Sequence, residues 1–256
     1  MKNDTLENKK IWVIGASSGI GAALAAELDQ RGAHLVLSAR RHDELEKISR
    51  NFLSPPALMP LDVGDSAALQ KAAQESGPFD SVIFLAAVYN PGLLEDMKLA
   101  DARRTLDINI CGAINTIDAV YPAMRQAGKG QIVLCGSVAG YRGLPNSQPY
   151  SMTKAAMISL AETLKVEAEP HGINVKLISP GFVRTPMTAQ NDFAMPMMIE
   201  PEEAAKIIAD GLTAKAFEIH FPKKFTWMIK CIAALPYFLY FPIARCILKN
   251  KSKKGV

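Results

Sequence analysis

Short apolar runs alternate with amphipathic stretches along most of this chain. Residues 10–15, 33–38, 57–61, 81–86, 131–136 and 173–178 read as strands. The run at 81–86 is apolar almost throughout, as in a strand buried on both faces. Between these runs the apolar positions recur at helical spacing, at 19–31, 42–52, 66–76, 100–111, 113–127 and 150–169. In the second of these, Leu45 and Ile48 share one face. A further helix opens at Pro201, a residue suited to a first helical position, is followed by Glu202 and Glu203, and runs to Leu212. Repeated strand–helix order predicts an α/β fold: a doubly wound parallel sheet with helices on both faces. Such a sheet binds its ligand beyond the carboxyl ends of its strands. No linker, repeat or low-complexity stretch interrupts the pattern before about residue 220, so one domain is expected over 1–221, with an extension over 222–256.

Composition agrees with a packed domain. Of 256 residues, 49% are hydrophobic and 21% charged, which excludes disorder as the dominant state. Four cysteines, Cys111, Cys135, Cys231 and Cys246, are too few for a disulfide framework, and they form neither a CxxC pair nor a metal-ligand pattern. No metal site is expected. Residues 1–10 are polar and mixed in charge, without the apolar stretch of a signal peptide, so a cytoplasmic location is expected.

The net charge of +4 hides a division. Eight of the 29 basic residues follow Glu218, and none of the 25 acids does, which leaves 21 bases against 25 acids in the preceding body. The protein is therefore an acidic body, net −4, with a +8 tail. A uniformly basic nucleic-acid binder would not divide in this way, and no nucleic-acid partner is expected.

The first strand runs into Gly15-Ala16-Ser17-Ser18-Gly19-Ile20-Gly21. Glycine permits a sharp turn and a close backbone approach, and the helix opening at Gly19 directs free N–H groups at an anion such as a dinucleotide pyrophosphate. An acid at the end of the second strand would accept hydrogen bonds from the ribose 2′-OH of NAD and repel the 2′-phosphate of NADP. Here Ala39 occupies that position, and Arg40 and Arg41 follow. A guanidinium can clasp a phosphate through two hydrogen bonds, so NADP(H) is expected in preference to NAD(H).

Tyr150 and Lys154 stand at i and i+4 of a predicted helix, on one face. A free phenol titrates near 10. A nearby ammonium is expected to lower that value, which lets Tyr150 act as acid in reduction and base in oxidation.

The Gly-x-x-x-Gly-x-Gly turn, Ser137 at the end of a buried strand, and Tyr150-Ser151-Met152-Thr153-Lys154 thirteen residues later together resemble the short-chain dehydrogenase/reductase family, over about residues 9–221. The resemblance implies a Rossmann-type fold and a carbonyl/alcohol oxidoreductase. It implies that Ser137 hydrogen-bonds the substrate carbonyl, that Lys154 also holds the nicotinamide ribose, and that Asn109 supports a water linking Lys154 to solvent. It further implies that Asp62, followed by Val63, contacts the adenine. The run Pro180-Gly181-Phe182-Val183-Arg184-Thr185 resembles the family's nicotinamide loop, with Pro180, Val183 and Thr185 at the cofactor. Two departures stand out. Ile14 precedes the first glycine where the family often has Thr, and Phe84-Leu85-Ala86-Ala87 replaces Asn-Asn-Ala-Gly. Ala86 and Ala87 still permit close approach to the adenosine ribose.

The stretch 187–199, with Met195, Met197 and Met198, reads either as a substrate lid or as ordinary core. A homodimer through the helices at 113–127 and 150–169 is the family expectation. The tail holds seven of the 18 aromatic residues. Its uncharged run 231–244 is too short to span a bilayer, and Pro236 and Pro242 are expected to break it into short pieces. Two readings stay open for it, an in-plane contact with the inner face of a membrane or a cover for the pocket or a subunit interface. The leading functional expectation is an NADP(H)-dependent reductase for a hydrophobic or lipid-like carbonyl. The alternative is a nucleotide-sensing binding protein of the same fold without the chemistry.

Overall fold

The computed structural model describes residues 5–252, with side chains as far as residue 246. Lys253 and Lys254 of the basic end, and the first four residues of the polar N-terminal stretch, lie outside the described residues. Seven parallel strands form one sheet: β1 (Lys10–Ile14), β2 (His34–Ser38), β3 (Ala57–Leu58), β4 (Ser81–Phe84), β5 (Gly130–Cys135), β6 (Ile173–Pro180) and β7 (Glu218–Phe221). Their order across the sheet is β3-β2-β1-β4-β5-β6-β7. The helices are α1 (Gly19–Gln30), α2 (His42–Ser49), α3 (Ser66–Ser76), α4 (Leu99–Leu106), α5 (Gly112–Ala127), α6 (Tyr150–Ala168), α7 (Pro201–Thr213), α8 (Lys223–Ala233) and α9 (Tyr237–Ser252). This is the Rossmann-type doubly wound architecture.

Strand periodicity sorts the core into two layers. Along β1, Ile11 and Val13 join Leu24, Leu28, Ala204 and Ile208 beneath α1 and α7. Trp12 and Ile14 face the other way, toward Leu69, Val120, Met157 and Leu164 of α3, α5 and α6. Burial on both faces explains why β1, β4 and β5 are apolar almost throughout. The indole of Trp12, fully buried, donates to Ser38 Oγ at 2.9 Å, so its one polar atom is satisfied inside the sheet.

Three elements differ from the sequence expectation. β7 was not anticipated: its sequence Glu-Ile-His-Phe alternates polar and apolar residues over only four positions, and pairing with β6 makes it a strand. The two helices expected at 100–111 and 113–127 are joined by a π-helical turn, Asp107–Cys111, into one continuous path. In the tail, Pro236 does separate α8 from α9, but Pro242 lies inside α9 rather than ending it.

The last two helices are tied to the body by polar contacts. Glu218 of β7 accepts from the Tyr141 hydroxyl at 2.6 Å and pairs with Lys230 of α8. The guanidinium of Arg142 donates to the carbonyls of Ala233 and Leu235, and lies 4.1 Å from the ring centre of Tyr240 in α9. The Tyr240 hydroxyl in turn donates to the Gly143 carbonyl.

Candidate active site

The strand order reverses at β1, whose neighbours are β2 and β4, and the crevice beyond their carboxyl ends is where such sheets take ligands. A cleft of about 320 Å³ opens there. One end is built by the turn between β1 and α1. Gly15 has φ +91°, and a Cβ added to it would stand 2.5 Å from the Ala86 nitrogen, so only glycine lets this turn meet the end of β4. The first turn of α1 contains no acid, and Ser18 at its N-cap does not cap with its side chain. The leading N–H groups of α1 are thus free of side-chain competitors, as a pyrophosphate would require. Ser17, Ser18, Ile20 and Gly21 line this end with Gly15 and Gly19.

Arg40 and Arg41 are both exposed on the cleft wall beside Ala39. Asp62 and Val63 line it next to them, with the Asp62 carboxylate accepting from Gly64 N at 2.9 Å. Ala86 and Ala87 form the floor at the end of β4, and Pro180, Val183 and Thr185 close the opposite side. The Thr185–Thr188 segment folds on itself: Thr188 Oγ1 donates to the Val183 carbonyl at 2.6 Å, and Thr188 N donates to Thr185 Oγ1 at 3.3 Å. The glycine cradle and open helix end fit a dinucleotide.

Ser137, Tyr150 and Lys154 meet at the inner end. Their relative placement comes from packing of the loop after β5 against α6. Gly140 approaches so closely that a Cβ there would lie 2.6 Å from the Lys154 backbone, and Ser151 Oγ donates to the Ala139 carbonyl at 2.8 Å. Ala139 N donates to Ser137 Oγ at 3.1 Å, and Ser137 lines the cleft together with Tyr150. Lys154 is buried, donates to the Cys135 carbonyl at 2.8 Å, and sets its ammonium 5.5 Å from the centre of the Tyr150 ring.

The electrostatics correct one expectation. Burial pushes the Tyr150 phenol up from its ordinary value, and this outweighs the nearby Ser137 hydroxyl, which favours the phenolate. Burial also lowers the Lys154 ammonium. In the protein alone, then, the pair does not depress the tyrosine; the low-dielectric site keeps its proton on.

Asn109 stands apart from the other expected site residues. It lies in the π-helical turn, fully buried behind the cleft wall. Its Oδ1 accepts from Val88 N at 2.8 Å, and its Nδ2 donates to the Val88 carbonyl at 3.0 Å and to Thr153 Oγ1 at 3.1 Å. The carboxamide thereby pins the segment leaving β4 to the helix that carries Lys154. Sequence reasoning missed Tyr89, whose ring meets Tyr150 edge-on at 4.7 Å and whose hydroxyl donates to Asn191 Oδ1 at 2.7 Å. Its signal was an aromatic residue just beyond the end of a buried strand. Of the stretch 187–199, Ile199 is core, but the methionines are not: Met197 is 50% exposed and Met195 and Met198 are half-buried, while Met187 lines the cleft.

Residues 9–195 match the family described as short chain dehydrogenase. An uncharacterized oxidoreductase of Myxococcus xanthus (strain DK1622) is 30% identical over 240 residues, covering 91% of this chain and 95% of the relative. Among solved structures, a short chain dehydrogenase from Burkholderia cenocepacia J2315 in complex with NADP superposes with a TM-score of 0.80 at 25% identity, over 90% of this chain and 94% of its own. A 3-oxoacyl-[acyl-carrier protein] reductase from Brucella melitensis ATCC 23457 gives a TM-score of 0.76 at 27% identity, over 85% and 91%.

Proposed function

This chain belongs to the short chain dehydrogenase family, and we propose that it interconverts a carbonyl and a secondary alcohol, with NADP(H) preferred over NAD(H) and an apolar substrate. The observation that carries this reading is that Ser137, Tyr150 and Lys154 line one end of the cleft together, with the Lys154 ammonium 5.5 Å from the centre of the Tyr150 ring. Arg40 and Arg41 beside Ala39 support the NADP preference, and the Burkholderia relative was solved with NADP. Val88, Ile108 and Met187 give the cleft apolar wall near the reacting end.

Bound in this cleft, the reduced dinucleotide supplies the hydride. Residues of the α1 turn would hold the pyrophosphate, Arg40 and Arg41 the 2′-phosphate, and Thr185 and the backbone near Val183 the carboxamide. Ser137 donates a hydrogen bond to the substrate oxygen as negative charge grows on it. Tyr150 then delivers its proton to that oxygen, and the carbonyl becomes a secondary alcohol. Lys154, held by the Cys135 carbonyl, keeps a positive charge beside the phenolate that is left. A homodimer through α5 and α6 is part of this reading, and these helices expose Ile114, Met152 and Val166.

NADPH oxidation measured against ketones, acyl thioesters, steroids and retinal tests the proposal. Because the folded-state phenol is raised, reduction holds its rate from neutral into alkaline pH, whereas alcohol oxidation rises with pH as phenolate forms. Tyr150→Phe lowers turnover by about 10²- to 10⁴-fold in both directions while NADPH binding persists. Full turnover in that variant overturns the assignment.

A further inference from the structure

Helices α8 and α9 are each anchored by one inner stripe. Phe225 and Thr226 of α8 and Tyr240 and Ala244 of α9 are buried. The opposite stripe should be polar in a helix that merely packs on a domain. Instead Trp227, Met228, Tyr237, Phe238, Leu239 and Phe241 are 58%, 45%, 69%, 74%, 46% and 49% exposed. Among the described residues nothing covers these side chains, and Tyr237 stacks on Phe241 at 5.4 Å one turn along α9, so the exposed aromatic groups of that helix adjoin one another.

The charge that α8 and α9 themselves expose among the described residues has one sign. Lys223, Lys224 and Arg245 are exposed. No acid follows Glu218, and Glu218 is itself paired with Lys230. A second copy of this chain docking face to face would set the basic surface against itself. No helix among the described residues is long and apolar enough to cross a membrane. Exposed Trp, Tyr and Phe flanked by Lys and Arg are suited to the boundary between acyl chains and anionic headgroups.

We propose that the outward face of α8 and α9 docks in plane on an anionic lipid surface, with Trp227, Phe238 and Leu239 entering the headgroup boundary and Lys223, Lys224 and Arg245 meeting the headgroup charge. The same helices adjoin the cleft. Phe225 lies 5.3 Å, ring to ring, from Phe182 of the Pro180–Thr185 loop, and Arg142 joins α8 to the loop that begins at Ser137.

The test uses the full chain and vesicles of phosphatidylcholine with and without phosphatidylglycerol. The protein has two tryptophans, and Trp12 is fully buried, so a change in emission on vesicle addition reports Trp227. Phosphatidylglycerol vesicles are expected to bind about 100-fold more tightly than neutral ones, from three exposed bases. Trp227 emission is expected to shift to the blue, and added salt to reverse binding. Phe238→Ser with Leu239→Ser, or Lys223→Ser with Lys224→Ser, weakens binding to phosphatidylglycerol vesicles, the lysine pair by about 30-fold, at unchanged melting temperature and NADPH affinity. Equal, weak binding to both vesicle types overturns the proposal. So does a change of oligomeric state in these variants, by analytical ultracentrifugation, without loss of vesicle binding, because the occupant is then a second copy. None of these readouts needs turnover, so the result stands apart from the oxidoreductase reading.

Discussion

Tyr150 lies between burial, which retains its proton, and the nearby Ser137 hydroxyl, which eases its release. Its position on the same helix face as Lys154 was legible, because helical spacing fixes which face a residue takes whatever surrounds it. The direction of its pKa was not, since the low dielectric around the phenol comes from elements far apart in the chain. Tyr89 was hidden for the same reason: its partner Asn191 is 102 positions away. The proposed cofactor preference rests on fewer atoms. Arg40 is exposed and free to reach a 2′-phosphate, and charge-assisted hydrogen bonds of this kind contribute about 1.5–3 kcal/mol. Arg40→Ala therefore raises the KM for NADPH by about 10- to 100-fold and leaves the KM for NADH unchanged. Steady-state kinetics with both cofactors check this, and equal effects on the two would remove the 2′-phosphate from the argument.

The strands buried on both faces and the helix of Tyr150 announce themselves locally, because each carries its own periodic signal. β7 does not. Glu218 and His220 interrupt it, and its identity as a strand comes from β6 alongside. The π-helical turn at Asp107–Cys111 is equally silent in sequence, yet it turns Asn109 inward onto Val88 and Thr153. The loop from Ser137 to Tyr150 depends on its fit against α6 at Gly140. Gly140→Val forces side-chain atoms into the Lys154 backbone, and overpacking of this kind costs about 1–3 kcal/mol. The variant should melt several degrees lower and lose kcat, since Ser137 moves with the loop. Its affinity for NADPH, measured by fluorescence, should hold, because the α1 turn is untouched.

Taken together, the body and the tail form one packed unit joined at Glu218, Arg142 and Tyr240. Burial alone would raise the Glu218 carboxyl, but hydrogen bonds from Lys230 and Tyr141 outweigh it and hold it below the usual carboxylate range. A folded-state value below the unfolded one contributes stability that is present above the unfolded pKa and lost as pH falls through the folded one. Lys230→Met removes the pair, costs about 1.5–3 kcal/mol in denaturant titrations at neutral pH, and moves the acid-unfolding midpoint to higher pH. A midpoint unchanged by the substitution would show that the tail is held by other contacts. The Arg142 bridge carries a further consequence. One end of it grips the carbonyls that end α8, and the other belongs to the loop carrying Ser137. Whatever binds the outer helices and thereby changes the affinity for substrate must itself be held more or less tightly, by the same factor, when substrate is present. If docking of α8 and α9 shifts the Ser137 loop through Arg142, filling the cleft with substrate changes the strength of that docking by the same factor.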